Sequence, residues 1–168
     1  MKVPERQASD QPGALAVTRV RSLEPGELAA LERYGREALG EAALDRWQLP
    51  VVAAFGFLFV ARLAGETVGS AQIIRCLEEG DLYMDGFYLR EQHRRRGLGA
   101  ALLTAVLAEL AAPDFKRLLV TVAPGNEAAL RLYRRRGFAT VATLPRFYGA
   151  GADRLLLAAS LEGGSHRG

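Results

Sequence analysis

Apolar and basic positions alternate along Ala14–Leu23 (ALAVTRVRSL), the signature of a strand with one buried face. From Pro25 the period lengthens. Leu28, Leu31, Tyr34 and Ala38 recur at three- and four-residue steps, predicting a helix that proline opens and that ends near Gly40. A shorter helical turn is expected over Glu41–Gln48, stopping at Pro50, and the apolar run Leu49–Ala61 reads as buried strand. Phe55–Leu63 and Thr67–Cys76 are β-rich runs that form a hairpin over Ala64-Gly65-Glu66. A further strand, Leu82–Leu89, is entered from the turn Glu79-Gly80-Asp81. Regular alternation places Tyr83, Asp85, Phe87 and Leu89 on one of its faces and Leu82, Met84, Gly86 and Tyr88 on the other.

Leu98–Ala112 reads as a strong helix, with Leu102, Val106 and Leu110 at four-residue steps, Leu103 and Leu107 beside them, and Pro113 as its terminator. Arg117–Ala123 (RLLVTVA) is nearly unbroken apolar, as in the interior of a sheet covered on both faces. Asn126 is a good helix N-cap, and the helix it opens runs to Arg136 before Gly137. Ala139–Thr143 and Arg154–Leu161 complete the pattern as strands around the loop Leu144–Asp153. The order β-αα-βββ-α-β-α-ββ describes one mixed α/β domain over residues 14–162. Residues 1–13 are expected as a frayed arm and 163–168 as a loose tail.

Composition narrows the classes. At 168 residues, 49% apolar and 24% charged, the chain can bury a real core. Two His and one Cys are too few of the usual ligand types for a protein-built metal site. The lone Cys76 cannot make an internal disulfide, which fits a reducing, cytosolic setting, and a small buried hydrophobe describes it better than a nucleophile. No apolar run approaches the roughly 18 residues of a membrane span, and Met1–Gly13 has no signal-peptide core, so the expected location is cytoplasmic.

Net charge is only +3, yet arginines cluster at Arg94, Arg95 and Arg96 and again at Arg131, Arg134, Arg135 and Arg136. These are either two solvated helix ends or one shared polyanion site. Neither cluster is interleaved with aromatics, so no nucleic acid is expected as a partner. The first cluster leads into Gly97-Leu98-Gly99-Ala100, between a strand and a long helix. Unpaired N–H groups and the positive macrodipole welcome an anion at such a helix start, and glycines there let a pyrophosphate approach the amides. The glycines would equally permit tight helix–sheet packing. The spacing is neither the dinucleotide fingerprint nor a P-loop.

Arg94-x-x-Gly97-x-Gly99, preceded by the strand Phe87-Tyr88-Leu89, resembles the R/Q-x-x-G-x-G/A acyl-CoA motif of the GNAT superfamily of N-acetyltransferases. Asn126-x-x-Ala129-x-x-Leu132-Tyr133-x-x-x-Gly137-Phe138, beginning 27 residues after Gly99, resembles the second signature of that family. The resemblance covers Ala14–Leu161. It implies an α/β (α+β) fold whose mixed, mostly antiparallel sheet has a central splayed parallel strand pair and helices on both faces.

It also implies acetyl-CoA (CoA) as cofactor. The pantetheine arm would lie between the strands Leu82–Leu89 and Leu118–Ala123, against the Phe87-Tyr88-Leu89 stretch, using the backbone of Phe87 and Leu89. The pyrophosphate would rest on Arg94, Arg95, Arg96, Gly97, Leu98, Gly99 and Ala100. Asn126 would touch pantetheine, act as a plain N-cap, or both. The implied reaction is direct attack of an amine on the thioester, with Tyr133 as acid near the sulfur, in place of a core aromatic. Asp85 is the candidate base, at the position where diamine acetyltransferases of the superfamily resemble this strand and carry Glu; as a shorter side chain it would work through a water, or else it is structural. The loop Arg146–Asp153 resembles the Tyr-Tyr-Gly-x-Gly-x-Asp segment of protein N-terminal acetyltransferases, which assigns Phe147 and Tyr148 to acceptor contact. Those bacterial enzymes place a catalytic Glu where this chain has Thr121. A peptide N-terminus and a small amine or polyamine therefore both stay open as acceptors, with Glu32, Glu37, Glu41 and Asp45 as possible attractors of a cation. An acyl-cysteine route is disfavoured, since nothing in sequence surrounds Cys76 with a triad. A non-catalytic acyl-CoA-binding module of the same fold is the competing reading. No membrane partner is expected, and monomer and homodimer are both open.

Overall fold

The structure, a computed structural model, describes residues 13–162, so the arm and tail expected over 1–13 and 163–168 lie, Gly13 apart, outside the described residues. The elements are β1 (Leu15–Val20), α1 (Pro25–Leu39), α2 (Gln48–Phe55), β2 (Phe57–Leu63), β3 (Glu66–Arg75), β4 (Asp81–Leu89), α3 (Leu98–Leu110), β5 (Arg117–Val122), α4 (Glu127–Arg134), β6 (Ala139–Leu144) and β7 (Arg154–Ser160). Short 3₁₀ turns at Gly40–Ala42 and Glu91–His93 add to these. The strands form one sheet in the order β1-β2-β3-β4-β5-β7-β6. Every neighbouring pair is antiparallel except β4 and β5.

Both faces of the sheet are covered, and β2 shows why. Phe57, Phe59 and Ala61 point into one core with Leu102, Leu103, Val106, Leu130 and Phe138, while Leu58 and Val60 point into a second core with Leu31, Leu49, Val52 and Ala53. The period-2 pleat of a strand thus serves two helical layers, α3 and α4 on one side, α1 and α2 on the other. Gly69 marks how close the strands come: a Cβ there would lie 2.5 Å from the Tyr88 carbonyl oxygen.

Two expectations require correction. The run Leu49–Ala61 is not one strand. Its first half is α2, which starts at Gln48 and contains Pro50 in its first turn, where the missing N–H has no helical partner to lose. The segment 43–47 between the Gly40–Ala42 turn and α2 is irregular, so the helical turn expected over Glu41–Gln48 shrinks to three residues. Asp45 opens α2 by accepting from the N–H groups of Trp47 (2.8 Å) and Gln48 (3.0 Å). Periodicity hides α2 because it carries no charge and keeps Trp47, Val51 and Phe55 exposed on its outward side.

The second correction concerns β4. Gln72 pairs with Gly86 and Ile73 with Met84, so Asp85 is an extra residue, a bulge. Alternation reverses across it. Leu82 and Met84 share the α3–α4 core with Phe87 and Leu89, whereas Tyr88 turns toward α1, its hydroxyl donating to the Leu31 carbonyl at 3.3 Å. The strict two-face assignment of this strand is therefore overturned at Asp85.

Candidate active site

The parallel pair β4–β5 is laddered only at its start, where residues 81–83 meet 117–119. Beyond Tyr83 and Leu119 the strands part. The antiparallel ladder with β3 sets what β4 shows to the gap: the Arg90 N–H donates to Val68 at 2.9 Å, so by alternation Tyr88 also bonds toward β3, while Phe87 and Leu89 face away from it. The Leu89 carbonyl accepts from Arg94 Nε at 3.1 Å. Tyr88, expected beside the cofactor, has both its backbone and its phenol committed elsewhere.

At the end of this gap α3 begins. Arg95 (φ +60°) and Gly97 (φ +75°) are both left-handed. None of the N–H groups from Arg95 to Ala100 donates to another backbone group among the described residues; Ala101, bonded to Gly97 at 3.1 Å, is the first that does. Six successive amides at a helix N-terminus make a strong anion cradle. The two glycines do different things. A Cβ on Gly97 would meet nothing within 4 Å, so its need is conformational and the space above it is open. A Cβ on Gly99 would instead point inward and sit at ordinary contact distance from Leu89 (3.6 Å) and Leu132 (3.9 Å).

The mouth of the gap gathers three tyrosines. The Tyr83 hydroxyl and Thr121 Oγ1 lie 2.8 Å apart, joining β4 to β5 just past the last backbone pair. Burial raises the Tyr83 phenol above its ordinary pKa, the Thr121 hydroxyl opposes this, and the Tyr148 phenol and the Asp85 carboxylate raise it further. Asp85, exposed on its bulge, is itself raised by desolvation. Tyr133 of α4 is 6% exposed, packed edge-on to Phe87 (6.1 Å) and tilted against Phe138 (5.2 Å). Burial, then Tyr83, pushes its phenol above the ordinary value, so it stays protonated through the neutral range.

The loop between β6 and β7 closes the mouth. Asp153 Oδ1 accepts from the Arg146 N–H at 2.7 Å, Gly149 and Gly151 supply positive φ, and Phe147 stacks edge-on to Tyr148 at 4.8 Å. Both rings remain about half exposed.

The profile of the Acetyltransferase (GNAT) family matches residues 23–138, well over half of the chain. The chain belongs to the GNAT acetyltransferase family. It is 30% identical over 116 residues to an N-alpha-acetyltransferase of Sulfurisphaera tokodaii, spanning 61% of this chain and 68% of that protein. Over 62 residues it is 34% identical to a spermine/spermidine N(1)-acetyltransferase of Bacillus subtilis, spanning 36% and 41% respectively. The fold is that of the ribosomal-protein-S18-alanine N-acetyltransferase from Escherichia coli, with a TM-score of 0.74 at 20% identity over 92% of this chain and 99% of that one.

Within this GNAT domain the structure brings Tyr133, Asp85, Phe147 and Tyr148 toward one mouth through Tyr83, which faces Thr121, Tyr148 and Asp85 alike. Sequence reasoning missed Tyr83 as a site residue; its one signal was its place two residues before Asp85 on the same strand. Asn126 takes the N-cap role, accepting from the Ala129 N–H at 3.1 Å. Of the acids of α1 and the following segment, Glu32 pairs with Arg36 (3.6 Å) and accepts from the Arg46 N–H (3.3 Å), and Asp45 caps α2. Among the described residues no helix is long and apolar enough to cross a membrane.

Proposed function

We propose that this GNAT protein acetylates a primary amine by direct transfer from acetyl-CoA, and that the acceptor is a peptide N-terminus. The observation that carries the reading is the run of free amides from Arg95 to Ala100 at the end of a strand gap whose floor holds a protonated, buried phenol. The open space above Gly97 and the edges of Phe87 and Leu89 that β5 does not pair, the Leu89 carbonyl being held by Arg94 Nε, fit a diphosphate joined to an amide-bearing arm. When bound, acetyl-CoA supplies a thioester carbonyl for the amine to attack.

This chain's own groups supply the rest. The amides of Arg95, Arg96, Gly97, Leu98, Gly99 and Ala100 hold the diphosphate, with the Arg94–Arg96 side chains adding charge. The Leu89 and Phe87 backbones align the arm. Tyr133 keeps its proton available for a departing thiolate, and Asp85, directly or through water, takes a proton from the incoming ammonium. Tyr83 donates or accepts between them, with Thr121 fixing its ring. Phe147 and Tyr148 form an aromatic wall for the acceptor. A small polyamine wants several free carboxylates, and among the described residues Asp85 is the one carboxylate that acts on the Tyr83 phenol at this mouth, which favours the peptide.

Calorimetry with CoA, together with thiol release from acetyl-CoA across peptides, polyamines and small amines, tests this. The expected result is binding, and turnover fastest on a peptide. Turnover on polyamines alone would overturn the acceptor; binding without any turnover would overturn the enzyme.

A further inference from the structure

The aromatic wall given to the acceptor carries a cation that has no part in the proposed chemistry. Arg154 opens β7, half-buried, with its guanidinium carbon 4.9 Å from the centre of the Tyr148 ring. Register fixes which way it faces. Leu155, Leu157 and Ala159 of β7 and Val120 and Val122 of β5 pack into the α3–α4 core, so Arg154, Leu156 and Thr121 take the opposite face of the sheet. Leu156 is the direct partner of Thr121, which holds the Tyr83 hydroxyl. Arg154 thus stands two residues along β7 from that bridge, about 7 Å. Its Nη1 donates to the Asp153 carbonyl at 2.8 Å, and no carboxylate lies within 4.0 Å of it among the described residues. The Asp153 carboxylate beside it is taken by the Arg146 N–H. A backbone carbonyl and an aromatic face orient this guanidinium without neutralising it, which leaves it ready for a carboxylate.

We infer that Arg154 selects acceptor peptides with an acidic side chain at the second or third residue, by a charge-assisted pair with that carboxylate. This rests on the proposed reading of the acceptor as a peptide N-terminus and deepens it. One tyrosine sets the spacing. The Tyr148 phenol acts on Tyr83 at the end where Asp85 receives the amine, and the Tyr148 ring meets Arg154 at the other. A phenol ring and that contact come to about 8 Å, which about two residues of extended peptide span. The mouth therefore offers a carboxylate to the ammonium and a guanidinium to an acid further along the peptide, and the same guanidinium repels a polyamine chain.

The test is thiol release from acetyl-CoA by the full chain on short peptides that differ only by Glu, Gln or Lys at the second or third residue. Wild type, Arg154→Gln and Arg154→Glu are compared, with calorimetry of CoA to check that each variant keeps its fold. In wild type kcat/KM should be about tenfold higher for Glu than for Gln at one of the two positions, the size of a partly exposed charge pair. That ratio should narrow with added salt, and fall to about twofold or less in Arg154→Gln while the Gln peptide is hardly affected. Arg154→Glu should reverse the order and favour Lys over Glu. Equal wild-type turnover of Glu and Gln peptides at both positions overturns the selection while leaving the peptide reading standing. A variant that slows both peptides alike at unchanged CoA affinity also overturns it, since Arg154 would then only hold the Tyr148 ring. If no peptide turns over in wild type while polyamines do, the peptide reading fails and the selection with it.

Discussion

The strands β4 and β5 are the same pair at both ends and behave oppositely. At the closed end, residues 81–83 and 117–119 are laddered, and Asp81, 5% exposed, is clamped by the Arg117 guanidinium through Nε at 3.0 Å and through Nη2. At the open end backbone pairing stops, and a side-chain hydrogen bond, Tyr83 with Thr121, bridges the strands. The difference teaches how a sheet interior can host a ligand. β3 and β7 hold the outer edges of the pair, so the inner edges can separate without unravelling. The bulge at Asp85 then turns a carboxylate outward at the point where the gap begins.

The comparison breaks most completely if the rigid side is loosened. Gly69→Ala would drive a Cβ against the backbone of Tyr88 and against Leu89, and should cost about 3 kcal/mol in chemical denaturation, with CoA affinity falling because Leu89 lines the gap. Next is Tyr133→Phe, which should lower kcat by about a hundredfold at unchanged CoA affinity. Unchanged turnover would remove Tyr133 from the chemistry and leave it a packing residue against Phe138. Tyr83→Phe should have a smaller effect, about tenfold on kcat/KM, reproduced by Thr121→Val if their hydrogen bond is what matters. Smallest is the closed end. Arg117 holds the Asp81 carboxyl below its ordinary pKa, so the pair's stabilisation is complete above the ordinary carboxylate value and is lost as pH falls toward the folded one. Asp81→Asn should thus lower Tm by a few degrees at neutral pH, with the gap to wild type closing in acid. A gap that persists at low pH would mean that packing, not charge, does the clamping.

Much of this was legible in advance because local physics dominates it. Pro25, Gly97, Asn126 and Gly137 punctuate the chain where dihedral preference decides, and the four-residue steps of Leu102, Val106 and Leu110 could face only a core. α2 escapes the sequence pattern because a helix apolar on both sides carries no 3.6-residue signal, and Pro50 reads as a stop although a first turn tolerates it. Gly99 looked like a ligand-facing glycine; only its distance to Leu132 shows that it faces inward.

By itself, then, the sequence determined the order of elements, the cradle and the two family signatures, since each rests on residues close to one another along the chain. Only the tertiary structure decided the bulge at Asp85, the turning of Tyr88 away from the gap, the meeting of Tyr83 with Thr121, Tyr148 and Asp85, and the approach of Leu132 on α4 to the start of α3. Those depend on register and on contacts between distant segments. A single inserted residue reverses every face beyond it, and no local propensity records that.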